Sequence, residues 1–110
     1  MLIYITAKLF KKGNYIMGII VGVGGGRYSD NEVLPIFEHI VRLSNKKNPS
    51  VLFVPTAGFD DINGDEHIFR LFIGLGCSVS ALMLTDKSLT KEEIENKILS
   101  ADIVYAGGGN

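Results

Sequence analysis

Four short apolar runs, separated by stretches of helical periodicity, set the pattern of this chain. Residues 18–23 are a continuous β-rich apolar run, the form taken by a strand buried on both faces of a parallel sheet. Gly24, Gly25 and Gly26 end it. Ser29 and Glu32 then stand at capping-box spacing, so a helix is predicted from there, with Val33, Phe37, Ile40 and Val41 as its apolar stripe and Ile36 and Ser44 also at helical spacing. Residues 45–50 form a polar exit loop carrying Lys46, Lys47 and Pro49. Residues 51–54 are the second strand, closed by Pro55, which cannot donate to a ladder. After a loop over residues 56–64, the spacing of Ile68, Phe69, Phe72, Ile73 and Leu75 predicts a helix from Asp65, with Gly76 as its left-handed stop. Residues 79–84 are the third strand. Thr90 and Glu93 make a second capping box, leading a short helix whose buried face is Ile94, Ile98 and Leu99. Residues 103–106 are the fourth strand, and Gly107, Gly108 and Gly109 follow it.

The order β-α-β-α-β-α-β predicts a doubly wound α/β domain: a mainly parallel sheet with helices on both faces, broken off after the fourth strand. In open sheets of this kind ligands lie outside the carboxyl ends of the strands, and glycine turns there let backbone N–H groups approach a substrate closely. The last turn is therefore the expected edge of a site. The helix that should follow Gly109 is missing from the pattern.

Composition narrows the function classes. With 110 residues, 46% hydrophobic, 21% charged and a net charge of −1, the chain reads as one ordinary soluble domain with no basic surface for nucleic acid. Cys77 is the single cysteine, which points to a reducing cytoplasm and to a small buried filler. Residues 1–16 stand apart. Their apolar residues Leu2, Ile3, Tyr4 and Ile5 precede the charges Lys8, Lys11 and Lys12, the reverse of a signal peptide, and are far too few for a membrane span. Codons for Lys11, Lys12 and Gly13 can hold a purine-rich ribosome-binding site ahead of Met17. Residues 1–16 are thus expected to be a non-native or upstream extension, with the domain starting at Met17. Abundant Ile, Lys and Asn fit an AT-rich bacterial genome.

Candidate chemistry is sparse. Counted from Gly22, a G-x-G-x-x-G fingerprint would put its third glycine at Arg27, and the second strand ends in Pro55 instead of an acidic ribose ligand, so a dinucleotide site is disfavoured. The loop after the second strand offers Thr56 and Asp60 as a candidate substrate loop, although Asp60, Asp61 and Asp65 also suit a helix N-terminus. His39 and His67 lack cysteine or histidine partners at ligand spacing, so surface or packing roles are expected for them. No serine sits in a G-x-S-x-G elbow.

From Met17 onward the sequence resembles the N-terminal half of the dipeptidase E (aspartyl dipeptidase) family of serine peptidases. The residues that carry this are 19–26 (IIVGVGGG), 51–57 (VLFVPTA) and above all 101–110 (ADIVYAGGGN), whose Asp-apolar-apolar-Tyr-x-Gly-Gly-Gly-Asn pattern is the most specific. The resemblance implies a class I glutamine-amidotransferase-like, flavodoxin-like fold, a cytoplasmic location, no cofactor, and hydrolysis of short peptides. It also implies an oxyanion-hole or substrate-binding role for Gly108, Gly109 and Asn110, with the N–H of Gly109 as the donor. The nucleophilic serine and its histidine would fall beyond Asn110, leaving this chain catalytically incomplete. Two other readings stand beside this one: a flavodoxin-like module holding a small ligand at Gly24, Thr56 and Gly107, and an interaction half-domain that pairs with a separate C-terminal half. A sheet face stripped of its helix would expose roughly 300 to 600 Å² of apolar surface, enough for self-association.

Overall fold

The computed structural model describes residues 2–5, 18–22, 30–56 and 66–107. Its elements are β1 (Leu2–Ile5), β2 (Ile19–Gly22), α1 (Asp30–Leu43), β3 (Ser50–Val54), α2 (Glu66–Gly74), β4 (Ser78–Ala81), α3 (Lys91–Ser100) and β5 (Ile103–Ala106). One five-stranded sheet runs in the order β2-β1-β5-β3-β4. β3 is parallel to both β4 and β5. β1 is antiparallel to β2 and to β5, so β2 runs in the same direction as β5. All four strands expected from the sequence therefore share one direction, and the α/β architecture is as anticipated. The fifth, β1, comes from the residues read only as an extension. Its Leu-Ile-Tyr-Ile composition suits a strand, and antiparallel pairing needs no crossover helix to reach it.

Strand alternation separates two cores. On one face α1 and α2 bring Phe37, Ile40, Ile68 and Phe72 onto Val51, Phe53, Ile103 and Tyr105. Aromatic rings dominate it: Phe53 stacks on Tyr105 with centroids 4.8 Å apart, Phe69 meets Phe53 edge-on at 4.9 Å, and Phe37 meets Phe72 at 5.0 Å. On the other face α3 lays Ile94 and Ile98 near Leu52, Val54, Leu82 and Val104. Cys77 is a buried filler in the first core, and burial pushes its thiol pKa up.

Three details depart from the expected pattern. Leu99 was placed on the buried face of α3 but is 73% exposed, because Ile94 and Ile98 already face the sheet and the next residue turns about 100° away. Ile73 in α2 is exposed for the same geometric reason, one residue past the buried Phe72. The third strand stops at Ala81 instead of 84. Leu82 still donates its N–H to the Phe53 carbonyl at 2.8 Å and buries its side chain, but the chain then turns at Met83–Asp86, leaving Leu84 exposed. The Asp86 carboxylate closes that turn by accepting from the Ser88 hydroxyl and N–H, which holds its pKa below the usual value. The capping box at Ser29 lies outside the described residues, whereas Thr90 caps α3 as expected, accepting from the Glu93 N–H at 3.1 Å.

The amino ends of β3 and β5 are stapled together. Asp102 Oδ2 accepts from the Ser50 N–H at 2.9 Å and the Ser50 hydroxyl at 3.1 Å, while the Asp102 N–H returns to Ser50. Lys46 pairs with the other carboxylate oxygen at 2.5 Å. Burial raises the Asp102 pKa, but the Lys46 contact and the two Ser50 donors outweigh it and leave the pKa below the ordinary aspartate value. A depressed folded-state pKa contributes stability that is present above the unfolded value, about 3.9, and is lost as pH falls through the folded value. Asp102→Asn is expected to cost about 1–3 kcal/mol at pH 7 by urea titration. The gap from the parent should narrow below about pH 4.

Gly76 is the left-handed stop the sequence predicts, with φ +88°, and its carbonyl accepts from Asn48 Nδ2 at 2.9 Å. A Cβ there would lie 3.0 Å from that same nitrogen. Gly76→Ala should therefore destabilise the protein by about 1–2 kcal/mol, from backbone handedness with a smaller contribution from displacing Asn48. A thermal melt would check it.

Candidate functional site

The carboxyl edge of the sheet is built by four chain segments leaving parallel strands. β3 ends at Val54 and runs into buried Pro55 and Thr56, and its neighbour β5 ends at Ala106 and runs into Gly107. Register places Val54 opposite Ala106, so Thr56 and Gly107 leave adjacent strands side by side. Thr56 Oγ1 accepts from the Leu84 N–H at 3.2 Å, tying the loop after β3 to the segment after β4. β2 ends at Gly22, exposed and open around the place where a Cβ would stand.

The first glycine of the final run completes the ladder. The Gly107 N–H donates to the Val54 carbonyl at 3.3 Å, so its donor is used in the sheet. A Cβ on Gly107 would meet Phe53 Cζ at 3.6 Å, an ordinary contact. The Gly107 N–H is therefore engaged within the sheet and not directed at a ligand. Gly108, Gly109, Asn110 and Asp60, like Gly24, Gly25 and Gly26, lie outside the described residues. Of the expected site residues, Thr56 and Gly107 are brought to this edge.

Groups that could be mistaken for a nucleophile lie elsewhere. Cys77 precedes the first residue of β4 and so sits at the opposite, amino edge. The hydroxyls of Ser44 and Ser100 donate to the Val41 and Asn96 carbonyls, and those of Ser50 and Ser88 to the Asp102 and Asp86 carboxylates. His39 and His67 are exposed on α1 and α2. Among the described residues no group of His, Cys, Asp and Glu is arranged to hold a metal ion. An open depression under α3, lined by Ser50, Leu52, Ser80, Lys97 and Ser100, is also at the amino side and away from the glycine turns. No described helix is long and apolar enough to cross a membrane.

Sequence reasoning missed the Thr56–Leu84 tie and the ladder role of Gly107, since neither has a local signal. It singled out Asp102 as part of a pattern without a reason. The reason is mechanical: the staple to Ser50 fixes where β5, and hence its glycine turn, emerges beside β3.

The sequence model of peptidase family S51 matches residues 20–110. The uncharacterized peptidase YgaJ of Bacillus subtilis (strain 168) is 29% identical over 92 residues, a match covering 83% of this chain and 39% of YgaJ. The chain thus spans less than half the length of that curated relative. No solved structure matches.

Because the Cβ contact at Gly107 is unstrained, Gly107→Ala should leave stability unchanged or raise it by about 0.4–1 kcal/mol. A urea titration that instead showed a loss above about 2 kcal/mol would mean the turn is held more tightly than its contacts indicate.

Proposed function

The chain belongs to peptidase family S51, the dipeptidase E family, and on that premise we propose that it forms the amino-proximal half of a cytoplasmic serine peptidase acting on short peptides. The observation that carries this reading is the placement of Gly107, the first glycine of the last run, at the carboxyl edge of the sheet. β5 sits inside the sheet, Gly107 follows it at the carboxyl edge beside the end of β3, and the family match continues to Asn110. With the Gly107 N–H used by Val54, the N–H groups of Gly108 and Gly109 are the next donors in line. Gly109 would stabilise the oxyanion, with Gly108 and Asn110 shaping the pocket and the loop of Thr56 and Asp60 contacting substrate. A preorganised donor lowers the barrier only when a nucleophile attacks within reach. That nucleophile and its histidine are assigned to sequence beyond Asn110, so this chain alone would be inactive, without any cofactor being involved.

A second observation favours an interaction role for the isolated chain. The crossover from β2 to β3 and that from β3 to β4 advance toward the β4 edge, and their helices lie on the aromatic face; the return from β4 to β5 puts α3 on the other. This is one consistent hand. A continuation from β5 toward the β2 edge would put its helix on the α3 face. That is where Ile20 is 65% exposed, in a sheet otherwise covered on this side by α3 alone among the described elements. A separate C-terminal half, or a second copy, could cover this apolar surface.

The deciding experiment assays hydrolysis of aspartyl dipeptides by the chain alone and by the chain coexpressed with the product of the sequence downstream of Asn110. The expected result is no activity alone and recovered activity together, provided the downstream product carries a G-x-S-A-G elbow. Gly109→Pro, which deletes the proposed donor, should then lower kcat by about 10²–10³. Hydrolysis by the 110-residue chain alone would refute its incompleteness, and no hydrolysis with a folded, complete partner would refute the peptidase assignment.

A further inference from the structure

β1 stands between two strands that match one another without it. Leu2, Ile3, Tyr4 and Ile5 pair on one side with Gly22, Val21, Ile20 and Ile19, and on the other with Ala106, Tyr105, Val104 and Ile103. Two successive antiparallel pairings restore the strand direction. β2 and β5 are therefore already parallel and aligned residue for residue, Ile19 with Ile103 through Gly22 with Ala106. Their faces agree as well: Ile19 and Val21 pack against the cluster that contains Ile103 and Tyr105, while Val104 belongs to the opposite core. Moving β2 inward by one strand spacing, about 4.8 Å, would make a new ladder without turning any side chain to the wrong face.

Three observations mark β1 as the strand that can leave. The family match covers residues 20–110, so β1 lies outside the matched residues. β2 is the edge strand, and no other strand has to give way when it moves. β1 is only four residues long, so few ladder bonds hold it between its neighbours.

We propose that Leu2–Ile5 is a displaceable strand that competes for the ladder position between β2 and β5, and that its departure closes β2 onto β5. Because β1 is antiparallel, its amino end lies at the carboxyl edge of the sheet, between the two strands whose sequences run on into glycines. With β1 in place Gly22 and Ala106 are two strand spacings apart, about 9.6 Å; without it they become neighbours. The strand thus acts as an internal brake on bringing the carboxyl ends of β2 and β5 together, whatever chemistry that edge performs.

The test uses the full chain carrying Cys77→Ser, Ile20→Cys and Val104→Cys, treated with a short bis-methanethiosulfonate that spans one strand spacing, each thiolate forming a disulfide with the reagent as methanesulfinate leaves. A second chain adds Ile3→Pro, since proline is excluded from a strand paired on both sides. The expected result is crosslinking at least about tenfold faster with Ile3→Pro, the parent reacting only through local opening of β1. Equal rates in two folded chains would overturn the proposal, and so would loss of the folded circular-dichroism spectrum on Ile3→Pro, because β1 would then be a required strand. Hydrogen exchange on the parent gives an independent reading. Amides of β5 bonded to β1 should exchange faster than those bonded to β3, and equal protection would overturn displaceability.

Discussion

The parallel pairing of β3 with β5 is the constraint from which the rest of the structure follows. These strands are separated by two helices and a third strand in sequence, yet they are tied at both ends: by Asp102 and Ser50 at the amino edge and by the Gly107 N–H on the Val54 carbonyl at the carboxyl edge. Between the ties, Phe53 and Tyr105 stack, and around that stack Phe37, Phe69 and Phe72 bring α1 and α2 down onto the sheet. A staple at one end and a ladder bond at the other set the register, and in a sheet a slip of one residue would exchange the aromatic face for the aliphatic one. The geometry of the glycine edge is thus decided largely by residues at the far end of the strands.

The two faces of the sheet are unequal. The aromatic face has two helices and rings that fill the space between them, whereas the other has one helix that buries no residue completely. The exposure of Ile20 and Leu99 belongs to that asymmetry, and so does the open depression beneath α3. Scattered apolar residues on a surface need no explanation, but Ile20 on the less covered side of the sheet marks a direction in which further structure would be accommodated.

Most of the fold was legible because the signals were local. Continuous apolar runs marked β3 and β5 as buried strands, Thr90 and Glu93 marked a helix start, and Gly76 marked a stop that only a residue tolerant of positive φ could make. β2, read from the same signal as buried on both faces of a parallel sheet, is instead a half-exposed edge strand paired antiparallel with β1. What could not be read depended on partners distant in sequence. An apolar residue such as Leu82 can fill a core from a loop as well as from a strand, so the end of β4 was misplaced. Leu99 and Ile98 are equally apolar, and only the position of the sheet decides which is covered. The site was legible as an edge, through its glycines and the loop at Thr56. The staple at the opposite edge was not legible, because Asp102 showed its purpose only once Ser50 was beside it.

β1 is where local and global preferences disagree. Its residues favour a strand, and its neighbours accept one, but it inserts an antiparallel element among strands that otherwise share a direction. The usual cost of such an insertion is broken register, and here there is none, since β2 and β5 keep the alignment they would have if adjacent. Two sheets are therefore consistent with the same crossovers and the same buried faces. One has two short ladders flanking β1, and the other has a single parallel ladder that places Gly22 beside Ala106. Backbone hydrogen bonding favours the first, because every paired strand satisfies more N–H and C=O groups. The directional consistency of a parallel α/β sheet favours the second. When two arrangements share so much of their packing, a small change in the availability of residues 2–5 is enough to choose between them.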